Sequence, residues 1–365
     1  MIIREIKLRN FRNYESETVR FNQGVNVLVG ANAQGKTNIL EGLVLLSLCR
    51  SHRTRNETPL IMNGKEAAVL ETVVEDDISR KIGMIIHANG KTLTVNGQPI
   101  RRSSDFIGKL NVILFDPTDL NIFISSPKNR RNFIDMELSK VSRNYMEVLN
   151  EYIRLLKERN TYLKQKKVEE QYLDSIDEQM VERAVTIIRY RKKLIDAINV
   201  NLNDCFAKIS GEKHEVSCQY VTCADPNEDL HKQLTEMFMD NRDRDMAMQM
   251  TLKGVHHDDI HFFMDGHPVE ESASQGQRRM MVLATKLALV SFITSQLHRQ
   301  PVLLLDDVLS ELDSHVQINL LKTLPKDLQT IITTTELNDS LMMADLPLSI
   351  QKVEKGHILK KGDQI

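Results

Sequence analysis

The sequence predicts an α/β fold, with mixed sheets around a phosphate-binding core and a mostly helical segment inserted into it. Three observations carry that reading. A strand, a glycine-rich loop and a helix follow one another in VNVLVGANAQGKTNILEGL, from Val25 to Leu43. Far downstream, PVLLLDDVLSELD, from Pro301 to Asp313, spells a buried strand that ends in two aspartates. Between them, no proline or glycine occurs after Pro127 until Ile209 has passed. The two ends need each other to make one core, so the helical stretch interrupts it.

The elements follow in order. In residues 1–21, Ile6 and Leu8 alternate with Lys7 and Arg9, which is strand periodicity. Val25 to Val29 is continuously apolar, suited to a sheet covered on both faces. A helix is expected from Gly35 to Leu48. Asn89-Gly90 and Asn96-Gly97 mark hairpin turns between Ala67 and Ile100, because both residues of each pair tolerate positive φ. LNVILF, residues 110–115, reads as a strand closed by Asp116-Pro117. Apolar residues then recur at helical spacing: first Tyr145, Leu149, Tyr152, Leu156 and Leu163, then Leu173, Ile176, Met180, Ala184, Ile187, Leu194, Ile198 and Leu202. Two long antiparallel helices are expected, turning in the charged stretch from Lys166 to Gln171. They suit an ordinary helical subdomain and a protruding hairpin equally. Residues 211–272 are polar, with short strand-like pieces. A helix from Gly276 to Leu297, a strand at Val302 to Leu305, a short helix after Ser314 and a strand at Gln329 to Thr334 complete the reading.

Composition limits the function classes. The net charge of -2 rules out a generally basic nucleic-acid binder, so any such contact needs local patches. Cys49, Cys205, Cys218 and Cys223 form no CxxC pair, and they read as reduced cytosolic thiols. MIIREIKLRNFR places charges in any would-be signal core. Glu41 and Lys286 break the two longest apolar runs, so no membrane span and a cytoplasmic location are expected.

The chemistry concentrates in three places. Gly30, Ala31, Asn32, Ala33, Gln34, Gly35, Lys36 and Thr37 fit G-x-x-x-x-G-K-[ST]. In that pattern the glycines turn backbone amides onto phosphate oxygens and the helix N-terminus adds positive charge. Lys36 would reach the β- and γ-phosphates, and the Thr37 hydroxyl would bind Mg²⁺. Asp306 closes the second strand where a carboxylate can hold Mg²⁺, and Asp307 stands where one can orient an attacking water. Ser274, Gly276 and Gln277 open the helix before that strand, a cap-like anion cradle. A nucleoside triphosphate with Mg²⁺ is the expected ligand.

SQGQ at Ser274 to Gln277 looks like the signature of ABC-type ATPases, and SELD at Ser310 to Asp313 resembles their D-loop. With LRNFRNY (Leu8 to Tyr14), GANAQGKTN, RSHR (Arg50 to Arg53), FDPTDL (Phe115 to Leu120) and SPKNRRNFID (Ser126 to Asp135), the chain resembles the RecF family of DNA-repair ATPases over nearly its whole length. The resemblance implies an ABC-ATPase-like head, lobe I, from residues 1–115 plus 295–365, and a helical SMC-like arm or lobe II from 116–294 carrying the signature. It implies an ATP-dependent homodimer in which Ser274 of one subunit meets the γ-phosphate held by Lys36 of the other. It also implies weak, DNA-stimulated ATP hydrolysis with Asp307 and Lys36 as catalytic residues. The implied role is a clamp on single-stranded or gapped DNA, without sequence specificity, that helps load recombinase and supports the SOS response. Mediator proteins of RecR and RecO type would be its partners.

The sequence departs from the ABC pattern in places. Asp307 stands where a glutamate is usual, which implies slow hydrolysis, and Thr334 or Thr335 replaces a switch histidine. No glutamine near Phe115-Asp116 fits a Q-loop. The cluster His256-His257-Asp258-Asp259 with His261 reads as a structural loop, with a metal site as its alternative. Basic clusters at Arg101-Arg102, Lys128-Arg130-Arg131, Lys164-Lys166-Lys167 and Arg189-Arg191-Lys192-Lys193 suit a DNA backbone. Each alone reads better as a solvated helix face. The alternative function is the soluble ATPase subunit of an ABC transporter. A chromosome-structuring coiled coil needs more length, since about 40 helical residues reach only ~60 Å.

Overall fold

The structure is a computed structural model and describes residues 1–54, 56–165, 167–337, 341 and 347–359. Lys166 of the basic cluster lies outside the described residues. In chain order the first elements are β1 (Ile2–Phe11), β2 (Tyr14–Arg20), β3 (Val25–Val29), α1 (Lys36–Leu48), β4 (Ala67–Glu75), β5 (Ser79–His87), β6 (Gly90–Val95), β7 (Gln98–Ile100), α2 (Ser103–Phe106) and β8 (Val112–Phe115). Then come α3 (Pro127–Val141), α4 (Arg143–Tyr162), α5 (Glu170–Ser210), β9 (Val216–Val221), α6 (Leu230–Met248), β10 (Asp259–Met264), β11 (His267–Pro268) and α7 (Val269–Ser272). The chain ends with α8 (Gln275–Leu297), β12 (Val302–Asp306), α9 (Ser314–Thr323), β13 (Thr330–Thr334), β14 (Leu348–Glu354) and β15 (His357–Leu359).

Contacts divide the chain into two units: Met1–Leu120 with Asn201–His214 and Ser274–Ile365, and Asn121–Val200 with Glu215–Ala273. The first unit holds both chain ends, as the split motifs require. It also holds α8, whereas the lobes read from the sequence place residues up to 294 with the helical arm. The apolar faces of α8 pack on the core of the first unit, and periodicity alone cannot say which core a helix serves.

The first unit contains two six-stranded sheets. One is antiparallel, in the order β2-β1-β4-β5-β6-β7. Its alternation is that read in β1: Ile3, Ile6 and Leu8 are buried while Lys7 and Arg9 are exposed. A register shift between Ile3 and Glu5 keeps the apolar residues on one face. Arg12 and Asn13 separate β1 from β2, a hairpin that the sequence reading merges into one extended stretch. The Asn96-Gly97 turn has φ of 51° and 77°, the double positive φ that its residue types predict.

The other sheet, ordered β15-β14-β3-β13-β12-β8, is parallel except for β15. Helix α1 packs against strands of both sheets and is therefore buried around most of its circumference, with Ile39, Leu40, Leu43, Val44, Leu45 and Leu46 in the core. Gly42 allows the close approach. A Cβ there would lie 3.1 Å from Ile6 Cδ1 and 3.2 Å from Leu8 Cδ2. By length and hydropathy α8 alone among the described helices would suffice to cross a membrane, but 67% of its apolar window is buried inside the protein. Lys286 within it donates to Leu114 O at 2.7 Å and Asp119 Oδ1 at 3.1 Å, so its charge is matched in the core.

The second unit combines helices with a three-stranded sheet, β11-β10-β9. Two expected helices are three. Ser142 ends α3 and caps α4, its hydroxyl accepting from Tyr145 N at 3.1 Å, so a serine does what no glycine or proline is present to do. Helices α4 and α5 are antiparallel, since Arg159 meets Asp177, Glu151 meets Arg183 and Tyr145 meets Arg191. All eight apolar positions read in α5 are buried. In α4 the buried face is Tyr145, Met146, Tyr152, Leu155 and Arg159, so Leu149 and Leu156 sit at its margin instead.

Arg159 is buried completely and bonded to Asp177 Oδ1 at 2.6 Å, Asp245 Oδ2 at 2.7 Å and Thr251 Oγ1 at 2.9 Å. Removing it leaves buried Asp245 without its cation and Asp177 with Arg242 alone, at 3.0 Å. Arg159→Ala is expected to cost about 3–5 kcal/mol of stability, measured by denaturant unfolding, because a broken buried ion pair loses far more than an exposed one.

Candidate functional site

The site is built at the carboxyl ends of three adjacent parallel strands, where α/β sheets place their ligand crevices. Strand β3 runs into the loop Gly30 to Gly35, β12 ends at Asp306, and β13 lies between them. Next-but-one strands stand about 10 Å apart, and the loop has to bridge that gap. It does: Thr37, at the start of α1, donates its hydroxyl to Asp306 Oδ1 at 2.9 Å. From the intervening strand, Thr333 donates to the same oxygen at 2.7 Å and accepts from Asp307 N at 2.9 Å. Thr333 thereby fixes both aspartates, a role that no local pattern announces.

Gly35 takes φ 115°, and α1 begins without any side-chain cap. Its first amides are left for a ligand, which is the anion site expected of an uncapped N-terminus. Ala31, Asn32 and Ala33 are exposed, whereas Gly30, Gly35 and Lys36 are buried. The Lys36 ammonium folds across the loop and donates to Gly30 O at 2.5 Å and Ala31 O at 2.9 Å. Burial lowers its pKa, while Asp307 and Asp306 act the other way. Burial likewise raises the pKa of Asp306, against the two threonine hydrogen bonds.

Asp306 and Thr37 offer hard oxygens at one point, the donor set that Mg²⁺ takes alongside phosphate oxygens. Asp307 adds a second acid with a distinct state. Its backbone is left-handed at φ 51°, and its buried Oδ1 has no hydrogen-bond partner. An unsatisfied buried carboxylate oxygen in a strained residue marks a position held for a ligand rather than for stability. The residues present therefore fit a divalent ion.

Ser274, Gln275 and Gly276 are exposed at the start of α8. Ser274 Oγ accepts from Gln277 N at 3.2 Å, and Gln277 Oε1 accepts from Ser274 N at 2.9 Å, a reciprocal capping box. Among the described residues no hydrogen bond joins this segment to Gly30–Thr37. Arg279, one turn on, donates to Glu311 O at 2.8 Å and so ties α8 to SELD, whose Asp313 caps α9.

The other motifs find structural partners. Glu41, fully buried in α1, would have its pKa raised by burial, but hydrogen bonds from Arg12 and Ser51 and the charges of Arg12 and Arg53 hold it low. LRNFRNY and RSHR thus meet on α1. Asp116 turns the chain after β8 by accepting from Thr118 N at 2.7 Å.

In the second unit, Arg130 pairs with Asp259 at 2.6 Å, Arg131 donates to Asp258 O at 2.5 Å, and buried Arg191 bonds Asp258 Oδ2 at 2.9 Å and Asp135 at 3.0 Å. Buried Arg191 is therefore withdrawn from any DNA-facing surface, and half-buried Arg130 and Arg131 are engaged within the unit, because sequence displays charge but not its partner. The same contacts occupy HHDDIHF. His256 bonds Tyr152 Oη at 2.9 Å and Thr251 O at 3.1 Å, and burial brings its pKa down to about 4. Among the described residues no group of three or more His, Cys, Asp and Glu side chains is placed to hold a metal ion.

A family model described as the RecF/RecN/SMC N terminal domain matches residues 2–358. The chain belongs to the RecF family. A DNA replication and repair protein RecF from Ligilactobacillus salivarius (strain UCC118) is 36% identical over 372 residues, covering 99% of this chain and 98% of the relative. One from Geobacillus kaustophilus (strain HTA426) is 38% identical over 348 residues, covering 93% and 94%. A solved structure of the recombination mediator protein RecF-ATP in the RecFOR pathway matches with a TM-score of 0.88 at 29% identity, covering 98% of this chain and 99% of that one. An Smc head domain from Pyrococcus furiosus, at TM-score 0.58 and 20% identity over 98% of this chain and 94% of that one, shares the fold. The ABC-ATPase-like head with a helical arm is the fold of this chain.

Acid should weaken divalent-ion binding earlier than at an exposed aspartate. The raised pKa of Asp306 means that its carboxylate takes up a proton above the ordinary value of 3.8, so the anion that would hold the ion is lost at milder pH. Titration with Mn²⁺ down a pH series, for wild type and Asp306→Asn, checks this, with the variant expected to bind weakly throughout.

Proposed function

We propose that this chain is an ATP-gated DNA clamp of recombinational repair and replication-fork restart. The observation that carries the reading is the meeting of Thr37 and Asp306 across β13, which assembles one triphosphate and Mg²⁺ site from the two chain ends. Loop amides from Gly30 to Gly35 and the first turn of α1 cradle the phosphates. Lys36 exchanges the carbonyls of Gly30 and Ala31 for phosphate oxygens. Thr37 and Asp306 hold Mg²⁺, which when bound neutralises phosphate charge and so favours phosphoryl transfer. Asp307 orients the attacking water. Its side chain is one methylene shorter than the glutamate usual in ABC ATPases, and weak hydrolysis follows.

The exposed start of α8 supplies the second half of the pocket, in trans. Ser274, Gly276 and Gln277 of one copy meet the γ-phosphate on a second copy, so ATP stabilises the closed dimer through contacts that the open one lacks. Closure places a joint surface on single-stranded or gapped DNA, to which exposed lysines such as Lys164 and Lys167 contribute sequence-independent contacts. Hydrolysis reopens it. Proteins of RecR and RecO type receive the clamp in the cytoplasm, and recombinase loading and the SOS response follow. The relatives matched along the whole chain are repair proteins, which disfavours a transporter subunit.

Sedimentation with ATP, ADP or neither, with and without gapped DNA, tests the reading. Wild type is expected to dimerise with ATP alone. Ser274→Arg should bind ATP normally yet remain monomeric, since the guanidinium blocks the facing pocket; a normal dimer refutes the trans contact. Asp307→Asn should lower the hydrolysis rate about a hundredfold or more while the ATP-bound dimer persists. A wild-type rate removes Asp307 from the chemistry.

A further inference from the structure

The phosphate loop is gripped from behind by the C-terminal hairpin, a contact that neither motif predicts. Gln34 O accepts from Gly356 N at 3.0 Å, and Gln34 Oε1 accepts from Lys355 N at 2.6 Å. Asn13 Nδ2 donates to the same Gln34 O at 3.1 Å. At the start of the loop, a Cβ on Gly30 would lie 2.2 Å from Val353 O. The turn is in turn fitted to the β1–β2 hairpin: Gly356 has φ 78°, and a Cβ there would lie 2.6 Å from Asn13 O. Asn13 and Tyr14 also close on Gly35, whose Cβ would lie 2.8 Å from Asn13 Nδ2 and 2.7 Å from the Tyr14 hydroxyl. That hydroxyl is buried and has no partner.

We infer that the β14–β15 turn, Val353 to Gly356, is a positioning latch for nucleotide binding. Resting on the ATP reading above, it assigns Gly356 and Asn13 a shared task, holding the carbonyl of Gln34. A loop of six residues that presents its amides inward loses little further freedom on meeting a triphosphate if it is held beforehand, and affinity gains accordingly. The Gln34 carbonyl is fixed outward by Gly356 and Asn13, which leaves the opposite edge of the loop to the ligand.

The test uses the full chain carrying Gly356→Ala, Gly356→Asn and Asn13→Ala, with binding of a fluorescent ATP analogue and thermal unfolding of the nucleotide-free protein read in parallel. Both Gly356 variants are expected to weaken ATP about tenfold, because a side chain there meets backbone strain and the Asn13 carbonyl together. Asparagine relieves the strain of a positive φ but not the collision, so its failure to rescue identifies close approach as the cause. Gly356→Ala combined with Asn13→Ala should lose less than the two separate losses multiplied, since both hold one carbonyl. Wild-type affinity in the Gly356 variants, or rescue by asparagine with only the melting temperature changed in alanine, overturns the latch. Absence of ATP binding by the wild type, indistinguishable from Lys36→Met, overturns the ATP reading itself.

Discussion

The hydrogen bond from Thr37 to Asp306 is the constraint on which the rest of the molecule turns. It joins residues 269 apart in the chain, and everything between them must be arranged so that it can form. Strand β13 enters between β3 and β12 and supplies Thr333 to hold the carboxylate. Parallel pairing puts all three strand ends on one edge.

The antiparallel sheet makes the loop's position possible rather than decorating it. Helix α1 is wedged between two sheets, and Gly42 lets it settle onto Ile6 and Leu8. Glu41 on the same helix is locked by Arg12 from the β1–β2 turn and by Ser51 and Arg53 from the segment after α1. A fully buried carboxylate is costly unless its charge is met, and here three donors meet it. The helix that carries Lys36 and Thr37 is thus fixed in rotation as well as depth.

What the sequence made legible is what is local. The phosphate loop is spelled in eight consecutive residues, and strand periodicity, Asn-Gly turns and the α5 stripe need only a window of neighbours. The contacts that were not legible join residues beyond any local window: Thr333 on Asp306, 27 apart, Gly356 on Gln34, and Lys286 on Asp119, 167 apart. The break at Ser142 and helix α6 escaped for another reason. A serine cap is a weak local signal inside a helical run, and α6 carries polar residues on most of its circumference. Arg130 and Arg191 show the converse error, for guanidinium groups that look solvated in one dimension are ion-pair centres in three.

The capping box at the head of α8 has a consequence of its own. Ser274 Oγ accepts a hydrogen bond from the amide of Gln277 through one lone pair, and its own hydroxyl hydrogen is not spent in doing so. The oxygen receives on the inside and can give on the outside. An aspartate would cap the helix as well but would repel an anionic guest, and an alanine would neither cap nor donate. In the proposed dimer, two unrelated demands, one of folding and one of assembly, would therefore converge on a single small side chain.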